Sequence, residues 1–258
     1  MDLITISTED TITISKYRSL TQEEESQRKA ISKTAGYLQR LLLYSMEGRE
    51  RTLAFREVLI DEKLPFLKIN TEFYIVLSFF YLFDEYSYSG AKIWGDSYSR
   101  KIKEYRKNKF DNDMNFLLVR QMRNHQTHFS NVVGQQTNGE YFILKRDIAA
   151  SPKIIDKLKP YLEQIEKISL TSVIDYIENF FIQTHIDIRK MFEHEIATVL
   201  DYIDEFEKEM LVNGIKGKFA FADYIKNVEE NPMNIKVNQV SEFNILRSTL
   251  TQKWKRSK

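Results

Sequence analysis

The chain contains no cysteine among its 258 residues. Disulfide bridges, thiolate zinc sites, iron–sulfur clusters and cysteine nucleophiles are therefore excluded. Glycine and proline are also scarce, with eight and four residues. Because sheet-rich folds need many tight turns, this scarcity favours helices. The apolar share of 42% and the charged share of 29% are those of an ordinary globular protein.

Several familiar motifs are missing as well. The sequence has no GxxxxGK[ST] phosphate-binding loop, no GxGxxG dinucleotide fingerprint, no HExxH pair and no serine nucleophile elbow. The N-terminus lacks the basic and apolar segments of a signal peptide. The longest apolar stretch, Phe73 to Phe83, is interrupted by Ser78 and is short for a bilayer. We therefore expect a cytoplasmic protein that is not attached to a membrane.

Charge is distributed unevenly along a chain whose net charge is +1. Between Arg100 and Arg123 there are eight basic residues against three acidic ones, and the segment from Arg247 to Lys258 adds five basic residues and no acid. The segment from Asp201 to Glu209 is strongly acidic. A nearly neutral protein of this kind can still present a local surface that attracts phosphate. Ordinary solvated helix faces are the alternative interpretation.

Hydrophobic periodicity and capping signals predict a mainly α fold, a helical bundle with short peripheral strands. We expect a single domain over residues 1–258 with a core of about 22–212, a peripheral hairpin over 3–15 and a peripheral C-terminal extension over 213–258. The helix over 72–86 is apolar nearly all round, so it is either central to the bundle or shared with a second chain. The predicted segments are a helix from the Thr21–Glu24 capping box to about Ile60, bent or divided near Gly48; helices over 72–86, 97–108 and from near Met114; a loop over 131–139; a strand over 140–145; helices over 152–167 and 172–211; and a strand over 234–240.

The segment with the clearest chemical content is Arg123-Asn124-His125-Gln126-Thr127-His128, on the helix predicted from Met114. Two of the four histidines of the chain lie in it. At about 100° per residue, Arg120, Asn124 and His128 form one polar stripe along an otherwise apolar helix. Such a stripe must be satisfied by solvent, by a protein partner or by a substrate.

This segment resembles the signature of the HEPN superfamily (higher-eukaryote and prokaryote nucleotide-binding), which is an arginine, a polar residue, three variable residues and a histidine. Here the signature positions are Arg123, Asn124 and His128. The resemblance covers residues 116–131 at the level of the motif and about 25–210 at the level of helical architecture. It implies that the helical bundle is HEPN-like. One departure is Ser130, which stands where some relatives that pair with nucleotidyltransferase antitoxins have a tyrosine.

The resemblance implies a metal-independent RNA endonuclease that needs no cofactor and leaves a 2′,3′-cyclic phosphate and a 5′-hydroxyl. His128 would transfer protons, Arg123 would stabilise charge on the scissile phosphate, and Asn124 would orient His128 or the phosphate. Arg120 and His125 would contact RNA. Because members of the family typically act as dimers, the resemblance further implies a homodimer with a composite site. It also implies an antitoxin or regulatory partner and a role as a toxin or phage-defence effector.

Other interpretations of these residues remain open. Arg120 and His125 form a second arginine–histidine pair with the same spacing, but Gln121 follows that arginine, so we prefer the Arg123 frame. His125 and His128 could bind a metal, although no acidic partner is evident. The segment could also be a plain surface helix, or the chain a non-catalytic HEPN-like module that binds RNA, a nucleotide or a protein. His185 and His194 are interpreted as structural or surface residues.

Overall fold

The computed structural model describes residues 2–7, 13–60, 64–90, 92, 95–128, 131–137, 139–215, 218–222 and 237–238. Most of these residues are helical, so the predicted mainly α fold class with short strands is confirmed. The helices are α1 (Gln22–Ile60), α2 (Phe66–Gly90), α3 (Asp96–Phe110), α4 (Met114–His128), α5 (Lys145–Ala149), α6 (Leu158–Gln164), α7 (Leu170–Met191) and α8 (Glu193–Val212). The strands are β1 (Asp2–Ser7), β2 (Thr13–Ser19), β3 (Val133–Thr137), β4 (Glu140–Ile143), β5 (Ile168–Ser169), β6 (Lys218–Ala222) and β7 (Val237–Asn238).

The chain divides into two compact units. We call Met1–Leu42 with Arg189–Lys258 the terminal unit and Leu43–Ile188 the central unit. The boundaries fall inside α1 and α7, and the prediction of one domain over residues 1–258 stays a prediction. The segment that resembles the HEPN signature lies in the central unit.

The terminal unit contains a four-stranded sheet in the order β2-β1-β6-β7. β1 pairs antiparallel with β2, which confirms the predicted N-terminal strand pair. β1 also pairs antiparallel with β6, so the C-terminal extension shares a sheet with the first strand. Of the strand predicted over 234–240, Val237–Asn238 forms β7. The basic segment from Arg247 lies outside the residues that the structure describes.

Helix α1 begins with the predicted capping box. The Thr21 N–H donates to Glu24 Oε2 at 2.7 Å, and the Glu24 N–H donates to Thr21 Oγ1 at 3.2 Å. The predicted division of the helix near Gly48 is wrong, because α1 is continuous. Gly48 instead lets α7 approach closely: a Cβ there would lie 2.2 Å from Cζ of Phe181.

Helix α2 starts at Phe66, ahead of the predicted start at 72. The carbonyl of Pro65 accepts hydrogen bonds from the N–H groups of Lys68 and Ile69, at 2.9 and 3.2 Å. Asn70 therefore does not cap the helix. By length and composition, residues Phe66–Ser89 could cross a membrane, and 39% of the qualifying window is buried within the protein. The core helix of a bundle meets the same criterion.

A strand replaces the loop predicted over 131–139. Strand β3 pairs antiparallel with β4, and β4 pairs antiparallel with β5. The side chain of Asn70 anchors the start of β3, because its Oδ1 accepts from the N–H groups of Val132 and Val133 at 3.1 and 2.9 Å and its Nδ2 donates to the Val133 carbonyl at 2.6 Å. This buried amide supplies backbone partners that the polar local sequence did not indicate.

Two helix predictions downstream are also corrected. The helix predicted over 152–167 is reduced to α6, because the segment before Leu158 forms short turns and the Ile155 N–H donates to Oε1 of Gln121 at 3.1 Å. The helix predicted over 172–211 is two helices divided at Phe192, whose φ and ψ are −114° and 24°. Phe192 is fully buried, with its ring centre 6.4 Å from that of Tyr37.

The central unit is built around packed aromatic rings. The rings of Phe110 and Phe116 stack with their centres 4.6 Å apart, and those of Phe80 and Phe180 lie 4.5 Å apart. These residues come from α3, α4, α2 and α7 respectively. The N-terminal half of α4 is therefore fixed by core packing on three neighbouring helices.

Candidate functional site

Helix α4 carries the signature residues. It begins at Met114, as predicted, directly after the potential capping residues Asp111, Asn112 and Asp113. Asp113 Oδ1 accepts hydrogen bonds from the N–H groups of Asn115 and Phe116, at 2.9 and 3.2 Å. The side chains of Phe116 and Met122 are buried on the inner side of the helix. The cap and the core contacts fix the rotation of α4, and hence the direction of its polar residues.

The polar stripe predicted on α4 faces outward. Arg120 and Asn124 are partly exposed, and His128, at the end of the helix, is exposed. Thr127 is exposed as well, with its hydroxyl donating to the Arg123 carbonyl at 2.8 Å. An imidazole, an amide and a guanidinium are therefore accessible on one side of the helix.

Arg123 lies against the ring of Tyr81 from α2. Its guanidinium carbon is 3.6 Å from the ring centre, which is close for a cation–π contact. Its Nη1 donates to Oδ1 of Asn124 at 3.4 Å, and its Nε is buried without a hydrogen bond in the part of the chain that the structure describes. The Tyr81 ring is thus the main contact of the Arg123 guanidinium among the residues described.

Arg120 belongs to a neighbouring charged cluster around Asp84 of α2. The Asp84 carboxylate is 2% exposed; it lies 2.6 Å from Nη2 of Arg106 and 3.8 Å from Nε of Arg120. Burial raises the pKa of the Asp84 carboxyl, and the two arginines oppose that effect. The buried carboxylate of Asp84 thus has two guanidinium groups beside it.

The sequence did not point to Tyr81 or Asp84. Asp84 is a charged residue near the end of an otherwise apolar helix, and that exception is the one signal that could have singled it out. Tyr81 carries no such signal, because tyrosine is common on half-buried helix faces.

His125 is placed differently from His128. It is 5% exposed, and burial lowers the pKa of its imidazole, with Asp147 opposing that effect. The predicted contact of His125 with RNA therefore has no accessible side chain to support it. Among the residues described, no group of three or more histidine, aspartate or glutamate side chains could hold a metal ion.

The other two histidines lie apart from α4. His185 is buried in the central unit, and its Nδ1 shares a hydrogen bond of 2.8 Å with Oγ of Ser45. His194 is exposed at the start of α8. These positions accord with the structural and surface interpretations respectively.

A pocket of about 200 Å³ opens beside the N-terminal half of α4. Its α4 lining is Asn115, Leu118 and Val119, and Tyr161 and Tyr176 face it from α6 and α7. The Tyr176 hydroxyl donates to Oδ2 of Asp113 at 2.7 Å, and burial raises the pKa of that phenol. The pocket does not include the signature residues.

No model of a known protein family matches the chain, and neither a curated protein nor a solved structure matches it. The resemblance to the HEPN superfamily therefore rests on the motif and on its helical setting. Membership of that family stays a prediction.

Proposed function

We propose that the protein is a metal-independent RNA endonuclease of the HEPN type, whose site is formed by Arg123, Asn124 and His128, with Arg120 as a further RNA contact. It leaves 2′,3′-cyclic phosphate and 5′-hydroxyl ends and acts as a toxin or phage-defence effector. The observation that carries the proposal is that one helix carries an exposed imidazole, His128, and a partly exposed guanidinium, Arg123, that has no carboxylate partner in the described structure.

The chemistry requires only groups of these types. The imidazole of His128 removes the proton of a ribose 2′-hydroxyl, and the 2′-oxygen attacks the adjacent phosphorus. The bond from phosphorus to the 5′-oxygen breaks, and that oxygen takes up a proton. Arg123 stabilises the charge on the phosphoryl oxygens with donors that stay protonated throughout. Because the nucleophile comes from the RNA, this route needs neither a protein nucleophile nor a metal ion, and general acid–base help contributes about 10²–10⁴-fold.

The burial pattern favours the Arg123–His128 frame over the overlapping Arg120–His125 frame. His128 is exposed and can meet a substrate, whereas His125 is buried and the pKa of its imidazole is lowered by that burial. Arg120 keeps a supporting role as an RNA contact, since it is partly exposed at the edge of the Asp84 cluster.

A homodimer explains how the two reacting groups meet. Arg123 and His128 are five positions apart, or about 140° around a helix, so they do not share a face. A two-fold axis can bring Arg123 of one chain to His128 of another. Helix α2 offers a surface for such a contact, because Leu67, Tyr74 and Leu82 on one of its sides are 70%, 37% and 43% exposed.

The dimer surface can be tested by placing a charge on α2. We expect Leu67→Glu to shift the protein from dimer to monomer in sedimentation and to lower RNA cleavage with it. Leu211→Glu is the matched control, because Leu211 is an exposed leucine in the terminal unit, at 78% exposure. A Leu67→Glu protein that stays dimeric, or a wild-type protein that is monomeric while it cleaves RNA, would exclude this surface.

The nuclease is tested by incubating RNA with the protein in EDTA and mapping the ends. We expect cleavage that survives chelation, yields 2′,3′-cyclic phosphate ends and disappears in His128→Ala. Expression of the wild type should slow growth, and expression of His128→Ala should not. Tight RNA binding without cleavage would instead favour the non-catalytic module, and an antitoxin or regulatory partner would be sought as a protein that neutralises the growth effect.

A further inference from the structure

We infer that Tyr81 is a positioning residue that holds the Arg123 guanidinium flat, with its N–H edge presented to a phosphate. The inference rests on the proposed function, because it assigns Arg123 a phosphate of the RNA. Tyr81 lies on α2, outside the segment that resembles the HEPN signature, and it is partly exposed beside Arg123.

Two arginines of this region, Arg106 and Arg123, are held in different ways. Arg106 binds Asp84 with two of its nitrogen atoms. Its Nη2 lies 2.6 Å from Oδ1 of the Asp84 carboxylate, and its Nη1 donates to the backbone carbonyl of Asp84 at 2.6 Å. Arg123 forms no ion pair with a carboxylate in the described part of the structure, and its one hydrogen bond there is 3.4 Å long. Arg106 is therefore committed to the protein, whereas most donors of Arg123 are not.

An aromatic ring holds a guanidinium in a way that a carboxylate does not. The ring contacts the flat face of the cation, whereas the N–H donors lie in the plane and point past the ring. A phosphate binds arginine through those in-plane donors. Stacking on Tyr81 therefore fixes the orientation of Arg123 and leaves its phosphate-binding edge uncommitted.

The two helices are aligned so that this contact is maintained. Tyr81 and Asp84 are three positions apart on α2, and Arg123 and Arg120 are three positions apart on α4, so each pair lies on one side of its helix. Tyr81 contacts Arg123, and Asp84 lies next to Arg120. The buried Asp84 cluster thus keeps α2 and α4 in the register that places the ring under the guanidinium.

The test compares Tyr81→Phe, which keeps the ring, with Tyr81→Leu, which keeps the apolar bulk and loses the ring. On an RNA substrate we expect Tyr81→Phe to retain the wild-type kcat and Tyr81→Leu to lower it about twofold to thirtyfold, the range of a cation–π contact. Tyr88→Leu is the matched control, since Tyr88 lies 5.4 Å from the Arg106 guanidinium, which Asp84 already holds. Its kcat should be unchanged.

A second readout does not depend on cleavage. The guanidinium signal of Arg123, identified by its loss in Arg123→Lys, is followed by ¹⁵N NMR during a titration with inorganic phosphate. We expect it to respond in the wild type and in Tyr81→Phe, with a much weaker response in Tyr81→Leu. If the wild type does not cleave RNA but this pattern appears, the nuclease is excluded and the positioning of Arg123 by Tyr81 is supported.

Two results would overturn the inference. One is a folded Tyr81→Leu protein with the wild-type kcat and an unaltered response to phosphate. The other applies even if Tyr81→Leu fails to fold: Arg123→Lys keeps the charge but has no planar face to stack, so wild-type cleavage by Arg123→Lys would show that the stacked geometry is not used.

Discussion

Two arginines, one in each unit, are held in opposite ways. In the terminal unit, Arg18 is enclosed by two carboxylates: its guanidinium donates to Glu24 at 2.8 and 2.9 Å and to Glu209 at 2.7 and 2.8 Å. In the central unit, Arg123 lies 3.6 Å from the centre of an aromatic ring and has no such partner among the residues described. The donors of Arg18 are bound by carboxylates, whereas most donors of Arg123 form no hydrogen bond in the described structure.

The difference indicates what each arginine does. Arg18 ties β2 to the start of α1 and to α8, and its hydrogen bonds to the two glutamates raise its pKa further above the ordinary arginine value. Its donors are used, so its role is to stabilise the terminal unit. Arg123 is oriented by a contact that leaves most of its donors without a hydrogen bond to the described protein, and recognition of a phosphate requires such uncommitted donors.

The largest effects are expected when each arginine is neutralised in turn, which tests whether the two residues have different roles. We expect Arg123→Gln to lower RNA cleavage by about 10²–10³-fold, as for loss of a donor to transition-state charge, with little change in the free energy of unfolding. Arg18→Gln should do the reverse, costing about 2 kcal/mol of stability with kcat unchanged. Urea unfolding and RNA cleavage rates, measured on both variants, test this division of roles. Equal losses of stability in the two proteins would contradict the division of roles.

A packing change in the central unit should lower the free energy of unfolding without altering any arginine. The Cβ of Gly48→Ala would lie 2.2 Å from Cζ of Phe181. We expect a loss of about 1–3 kcal/mol, measured by urea unfolding, because the two helices must move apart. Glu50→Ala, an exposed position on the same helix, is the control. A stabilised Gly48→Ala protein, as expected for an exposed helical glycine, would show that the close approach of α1 and α7 is absent.

The smallest effect concerns the pH dependence of the Arg18 contacts. Hydrogen bonding to Arg18 lowers the pKa of Glu24 from 4.5 to about 2. Because the folded-state value is the lower one, the stabilisation is fully present above pH 4.5 and is lost as the pH falls toward 2. Glu24→Gln should cost about 1 kcal/mol near neutral pH after solvent screening, and the difference from wild type should shrink in acid. A difference that does not change with pH would contradict the assignment.

Much of the fold follows from local signals. The capping box at Thr21, the cap at Asp113 and the alternation near the N-terminus predict α1, α4 and the first two strands, because each signal acts within a few residues. The outward stripe of Arg120, Asn124 and His128 follows from helix geometry alone.

The parts that the sequence did not predict depend on distant partners. Gly48 was interpreted as a helix break, whereas in the structure it allows Phe181 to pack closely against α1. The polar segment over 131–139 contains a strand because Asn70 and β4 supply its hydrogen bonds. The contact between Tyr81 and Arg123 joins two helices, and the burial of His125 depends on the packing around α4. Periodicity along one segment carries no information on such contacts.

The most direct test of the account is a mixture of two inactive chains, Arg123→Gln and His128→Ala, refolded together so that subunits exchange. If Arg123 and His128 of different subunits act on the same phosphate, each mixed dimer has one intact site, and the mixture should recover about a quarter of the wild-type RNA cleavage rate. A mixture that cleaves no faster than the separate variants would contradict the composite site.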